Sequence, residues 1–256
     1  MLYQIKSYLK FLLRSTNQHG VHSPFVFDLV TRCFYDTTSY PEYVILKRHR
    51  QNLLDSTETI EVKDFGAGSR VFKGNIRKVW AIARNAGVTA KRQRLLFRLA
   101  HYFKPENILE MGTSLGLGTI ALGLGNAGAK VVTVEGCPQT SEKAKALFQQ
   151  FKLDQINLHN ETFETFLERD DQKYDLVYID GNHDKERTLR YFQLLLQRVQ
   201  NGSVLIFDDI YWSKAMTEAW QEIKAHPKVT VSIDTFQWGM VFFRKEQKKE
   251  HFYLRM

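Results

Sequence analysis

Ile108-Leu109-Glu110-Met111-Gly112-Thr113-Ser114-Leu115-Gly116-Leu117-Gly118-Thr119 is the stretch on which the fold turns. An apolar run of strand length meets glycines at three alternate-to-close positions, and the chain then continues apolar to Leu124 at helical length. This reads as a strand, a glycine turn and a helix. Glycines at such a turn remove the Cβ atoms that would keep a ligand off the backbone. A bound small molecule is therefore expected at this point of the chain.

Outward from that turn, towards the C-terminus, the same rhythm repeats. Strand candidates are Asn107–Met111, Lys130–Glu135, Ile156–His159, Tyr174–Asp180, Ser203–Asp208, Val229–Asp234 and Gly239–Arg244, with helical stretches at 138–151, 184–199 and 213–225. Apolar strands alternating with helices indicate a parallel sheet covered on both faces. Only Thr235–Trp238 separates the last two strands, too few residues for a parallel crossover, so the last strand should run antiparallel. The expected fold is α/β: a Rossmann-like, doubly wound, mostly parallel seven-stranded sheet with an antiparallel last strand and a helical N-terminal extension. The division predicted is a cap over residues 1–89 and a catalytic domain over 90–256. The charged KEQKKE run near the end reads as a mobile tail.

Spacing separates two ligand classes at the turn. A dinucleotide site wants G-x-G-x-x-G directly after the strand. Counted from Gly112, Ser114 and Leu117 stand where glycines are required. The run from Gly116 fits the looser pattern but begins four residues too late. The spacing acid-x-Gly-x-x-x-Gly is satisfied instead, by Glu110, Gly112 and Gly116. This segment resembles the first motif of the class I S-adenosylmethionine-dependent methyltransferases. The resemblance implies that Gly112, Thr113, Ser114 and Gly116 pass beneath the amino-acid part of that cofactor, with the carboxylate of Glu110 balancing its ammonium. It also makes Glu135, which closes the second strand about 25 residues on with Gly136 behind it, the ligand of the ribose hydroxyls. Thr162 and Phe163, after the third strand, fall where the family lines the adenine; Phe163 could equally be core.

Two further strand ends carry acids, Asp180 in Tyr-Ile-Asp180-Gly-Asn182-His183 and Asp208 and Asp209 in Ile-Phe-Asp208-Asp209. Carboxylates gathered at one sheet edge repel one another unless a cation or a proton compensates. The pattern is similar to the metal-dependent branch of small-molecule O-methyltransferases, and implies Asp180, Asp208 and Asp209 as ligands of Mg²⁺ or another divalent cation, with Asp180 touching the cofactor as well. The competing reading has these acids capping helices or positioning substrate. His183 stands where catechol-type relatives carry a lysine base, and histidine can take a hydroxyl proton near neutral pH. His183 and Asp180 are thus the catalytic candidates, and the departure from lysine leaves the acceptor open.

The N-terminal part is different in character. Residues 1–104 hold 18 Lys and Arg against 7 Asp and Glu, a net of +11 in a chain whose total is +8. Such an excess can be a solvated face or can steer an anion. Leu2, Ile5, Leu9, Leu12 and Leu13 have helical spacing, and Ser23 with Pro24 opens a second helix. Further helices are expected around 40–55, 74–86 and 90–103. His19 and His22 read as a structural turn, and the glycine cluster Asp64-Phe-Gly66-Ala-Gly68-Ser69 reads as a loop.

Composition excludes several classes. No apolar run approaches the roughly 20 residues that cross a bilayer. No cleavable leader is evident, and the two cysteines, Cys33 and Cys137, lie far apart as ordinary thiols. A cytoplasmic enzyme with a small-molecule acceptor is expected, compatible with a homodimer. The alternatives are an RNA or protein methyltransferase, to which the basic segment would point, and a non-catalytic protein that binds S-adenosylmethionine or S-adenosylhomocysteine. An NAD enzyme ranks behind both.

Overall fold

A computed structural model describes residues 2–65 and 72–256. In chain order it comprises α1 (Leu2–Arg14), α2 (Pro24–Leu29), α3 (Glu42–Leu54), β1 (Thr59–Glu61), β2 (Ile76–Lys78), α4 (Val79–Asn85) and α5 (Ala90–Phe103). Then follow β3 (Asn107–Met111), α6 (Leu117–Gly125), β4 (Lys130–Val134), α7 (Pro138–Gln150), β5 (Ile156–His159) and α8 (Phe163–Arg169). The chain closes with β6 (Leu176–Ile179), α9 (Lys185–Leu195), β7 (Val204–Asp208), α10 (Lys214–Ala225), β8 (Val231–Asp234), β9 (Trp238–Phe242) and β10 (Glu250–Tyr253).

The central sheet has the order β10-β8-β9-β7-β6-β3-β4-β5. It is mostly parallel, as expected, and β9 pairs antiparallel with both β7 and β8. Two expectations are corrected. The sheet has eight strands, not seven, and the reversed strand is not the last, because Glu250–Tyr253 adds a strand parallel to β8. The charged run hides that strand, since its short His-Phe-Tyr core lacks the apolar alternation of a recognisable strand. The N-terminal segment then pairs with its far end, Thr16 bridging to Leu254.

Strand parity sorts the core into two layers. Ile108, Val131, Leu176, Ile206 and Met240 face one way, against α2 to α6. Leu109, Val132, Val177, Leu205 and Val241 face the other, against α8 to α10. The N-terminal helices therefore share a core with the sheet. Ser23 caps α2 through the Val26 N–H at 3.5 Å, as its place before Pro24 predicted. The helix expected over 74–86 begins only at Val79, because Ile76–Lys78 pairs with Thr59–Glu61 as a small hairpin. Of the Asp64–Ser69 cluster, Gly66 onwards lies outside the described residues. Among the described residues no helix is long and apolar enough to cross a membrane.

Candidate active site

Register builds the site. Met111 is paired with Val134 and with Ile179, and Ile179 with Phe207. The residues that follow these four are Gly112, Glu135, Asp180 and Asp208, so they form one row at the carboxyl edge of the sheet. The chain leaves β3 towards β4 and β5 and returns to its other side at β6. That reversal opens a crevice where α/β sheets bind their ligands.

The glycine turn is held by its own contacts. Gly112 has φ +112°, and a Cβ there would lie 2.0 Å from the Asp180 carbonyl oxygen. Gly116, at φ +76°, leaves room for the Phe148 ring. The Ser114 N–H donates to Glu135 Oε2 at 2.8 Å, and the Cys137 N–H donates to Oε1 at 2.9 Å. Glu135 is thereby fixed with one backbone donor on each oxygen. Burial pushes its pKa up against the pull of those two donors.

A cavity of about 470 Å³ opens beside this row, within the size range of small-ligand pockets. Gly112, Ser114, Glu135, Gly136, Thr162, Phe163, Asp180 and His183 all line it. Glu110, Thr113 and Gly116 do not. Glu110 is buried beneath α6, accepting hydrogen bonds from Thr119 and, at 2.6 Å, from Thr133, and burial lifts its carboxyl to about 7. Thr113 donates to or accepts from Thr133 at 2.6 Å. Glu110, at an even-numbered position of β3, faces the same layer as Ile108 and braces the turn from behind.

Spacing alone did not reveal the cavity's outer wall. Lys63, Asp64 and Phe65, which follow β1, line it, and the strap is pinned at both ends. The Glu61 N–H donates to Gln139 Oε1 at 2.6 Å, and Arg187 donates to the Phe65 carbonyl. Thr162 caps α8, and Phe163 is almost fully buried against Gly181 and Tyr191 while still bordering the cavity. Phe163 is therefore a core residue whose ring also borders the cavity.

At the other end of the row, His183 Nε2 lies 3.9 Å from Asp180 Oδ1. Asn182 and His183 both have positive φ, +65° and +38°, a conformation that non-glycine residues hold only where surrounding contacts impose it. The His183 ring packs against Trp212, centroids 5.6 Å apart. A further cavity of about 370 Å³ lies beyond Trp212 and Asp209, walled by Tyr211, Phe236 and the Ile5 and Tyr8 face of α1. His19 and His22 line none of these cavities; Asn17 caps the short turn holding His19.

Arg92 was not foreseen from the sequence. It lies in the first turn of α5, and its Nη1 donates to Asp208 Oδ1 at 3.0 Å. Asp180 and Asp208 follow adjacent strands and influence each other electrostatically, Tyr178 donates to Asp180 at 3.0 Å, and burial lifts the two carboxyls to about 6 and about 7. Among the described residues no three His, Cys, Asp or Glu side chains converge as a metal-binding group. Of the expected set Asp180, Asp208 and Asp209, Asp208 is engaged by the Arg92 guanidinium, a contact that a divalent ion would have to displace.

Residues 109–210 match a family described as a methyltransferase domain. Over 127 residues the chain is 31% identical to a catechol O-methyltransferase of Mycobacterium tuberculosis, a match covering 48% of this chain and 56% of that protein. The chain thus spans little more than half the length of the curated relative it matches. Two solved structures share the fold. An S-adenosylhomocysteine-bound methyltransferase of Podospora anserina is 15% identical, with TM-score 0.63, over 88% of this chain and 97% of that one. An O-methyltransferase of Bacillus cereus, also with S-adenosylhomocysteine, is 17% identical, with TM-score 0.55, over 83% and 95%.

Proposed function

We propose that this chain is a class I S-adenosylmethionine-dependent methyltransferase that methylates a hydroxyl oxygen of a small molecule, a reading supported by the matches over its central part. The observation that carries this reading is the row Gly112, Glu135, Asp180 and Asp208 beside the 470 Å³ cavity. Bound there, S-adenosylmethionine supplies a methyl group on a positively charged sulfur. Gly112 and Ser114 receive its amino-acid end, Glu135 and Gly136 its ribose, and Thr162 and Phe163 its adenine. Asp180 borders the same cavity. Glu110, Thr113 and Gly116 hold the turn in shape. Residues 1–89 act as a cap on the domain of residues 90–256, contributing the Lys63–Phe65 strap and α1.

Methyl transfer is an in-line displacement, so the protein's work is to orient the acceptor, exclude water and remove one proton. His183 is the base in this reading. Its ring is held between Asp180 and Trp212, at the boundary of the cofactor cavity and the aromatic-walled space by α1. That second space suits a flat hydroxylated acceptor, whose hydroxyl would then meet His183. Trp212, Tyr211 and Phe236 supply the flat surfaces. Oxygen as the receiving atom is supported by the names of the relatives.

The test is His183→Ala. Methyl transfer to a hydroxylated aromatic acceptor should fall by about 10²–10⁴, while calorimetric affinity for S-adenosylmethionine stays within about twofold. Transfer at the original rate would remove His183 as base. Tight cofactor binding with no transfer to any acceptor in the wild type would favour a binding protein.

A further inference from the structure

We propose that Arg92 supplies, as a fixed part of the fold, the positive charge that the acidic sheet edge would otherwise draw from a divalent ion. This deepens the methyltransferase reading and rests on it only for what the site is used for.

Parity explains how the guanidinium reaches the acids. Tyr178 and Ile206 face the helix layer that contains α5. Asp180 and Asp208, two residues further along the same strands, therefore leave the sheet on that side. Thr89 caps α5 and sets Arg92 in its first turn, directly opposite Asp208. The pair is screened from water, with side-chain exposures of 19% and 6%. Within that edge Arg92 acts electrostatically on Asp209 and Asp180 as well as on Asp208. One guanidinium thus meets Asp208 directly and lies within electrostatic reach of the other two acids that the sequence pattern offered to an ion.

The place is also a poor one for an arginine on any other ground. A cation in the first turn of a helix opposes the helix dipole, and no acid in that turn offsets it. Arg92 Nε is buried without a hydrogen-bond partner among the described residues. Both penalties are accepted where the guanidinium meets Asp208. Arg92 is a positioning residue: it fixes Asp208, which ends the strand beside that of Asp180, which faces His183. The edge then has its counter-charge at all times, and an acceptor would be oriented without chelation to an ion.

Electron paramagnetic resonance of Mn²⁺ with the full chain, freed of metal by chelator, tests this. The wild type should leave the spectrum that of the hydrated ion. Arg92→Gln, which removes the charge at similar size, should bind Mn²⁺ at least about tenfold more tightly, since a full charge a few ångströms away is lost. Arg92→Lys should behave as the wild type. One Mn²⁺ bound per wild-type chain, and lost in Asp208→Asn, would overturn the proposal, as would a folded Arg92→Gln that gains no affinity. Circular dichroism checks that the variant folds, and the wild-type and Asp208→Asn measurements decide the matter if it does not. Calorimetry with S-adenosylmethinine's product, S-adenosylhomocysteine, on the same samples separates the two readings. Absent nucleoside binding sinks the methyltransferase function, whereas the Mn²⁺ result alone decides the role of Arg92.

Discussion

At Gly112 the backbone has φ +112° and runs against the Asp180 carbonyl. Gly112→Ala should lower stability by about 2 kcal/mol or more, since a Cβ has neither space nor an accessible conformation there, and should abolish calorimetric binding of S-adenosylhomocysteine. Glu110, two residues earlier, makes a pH prediction. Burial raises its carboxyl from 4.5 to about 7 in the folded chain. The native state therefore holds this proton more firmly than the unfolded chain does. The contribution is fully present below about pH 4.5 and is lost as pH rises through about 7, amounting to about 3 kcal/mol. Glu110→Gln cannot ionise, so the fall in its unfolding free energy across that window, followed by urea titration, should be shallower than the wild type's. An equal slope would show that Glu110 is ionised inside the fold. Both residues were legible as motif members, yet their positions differ: Glu110 is buried within β3 against Thr119 and Thr133, whereas Gly112 stands in the turn just beyond the strand, where the backbone borders the cavity.

Among the elements, the hairpin of β1 and β2 was invisible in the sequence. Three-residue strands leave no periodic signal, and Thr59–Glu61 finds its partner 15 or more residues away. Its consequence reaches the site, because Lys63–Phe65 walls the 470 Å³ cavity. Arg187→Ala removes the donor to the Phe65 carbonyl. Nucleoside affinity should then fall about tenfold, the scale of one hydrogen bond from a charged group, with the melting temperature little changed. Loss of affinity equal to that of Gly112→Ala would instead mean that Arg187 supports the cavity as a whole. Ser23 was legible, and Ser23→Ala should cost about 1 kcal/mol through the lost cap of α2, measurable by thermal unfolding. The helix α5 was legible as well, over the residues expected. What its first turn presents was not, since the sequence shows Arg92 as one of many cations in a basic segment.

For the molecule as a whole, the 470 Å³ cavity is lined both by residues within 62–86 and by the strand ends of the sheet, so filling it should stabilise both together. S-adenosylhomocysteine at about a hundred times its dissociation constant adds about 2.7 kcal/mol, a rise of roughly 5–10 °C in melting temperature for a chain of this size; a second, unshifted transition would show that residues 1–89 unfold independently. The sheet's order also follows from features of different reach. The sequence by itself determined the alternation of strands and helices, the reversal at β9 from the short link before it, and the glycine turn with its acids at the strand ends. Each of these is written in spacing between near neighbours, where backbone geometry leaves few choices. Only the tertiary structure decided that β10 completes the sheet, that Lys63–Phe65 closes the cavity, and that Arg92 meets Asp208 across 116 residues of chain. Such pairings carry no local signature: they depend on which side chains the packed layers bring face to face, and a charge is matched to its partner only once the distance between them has closed.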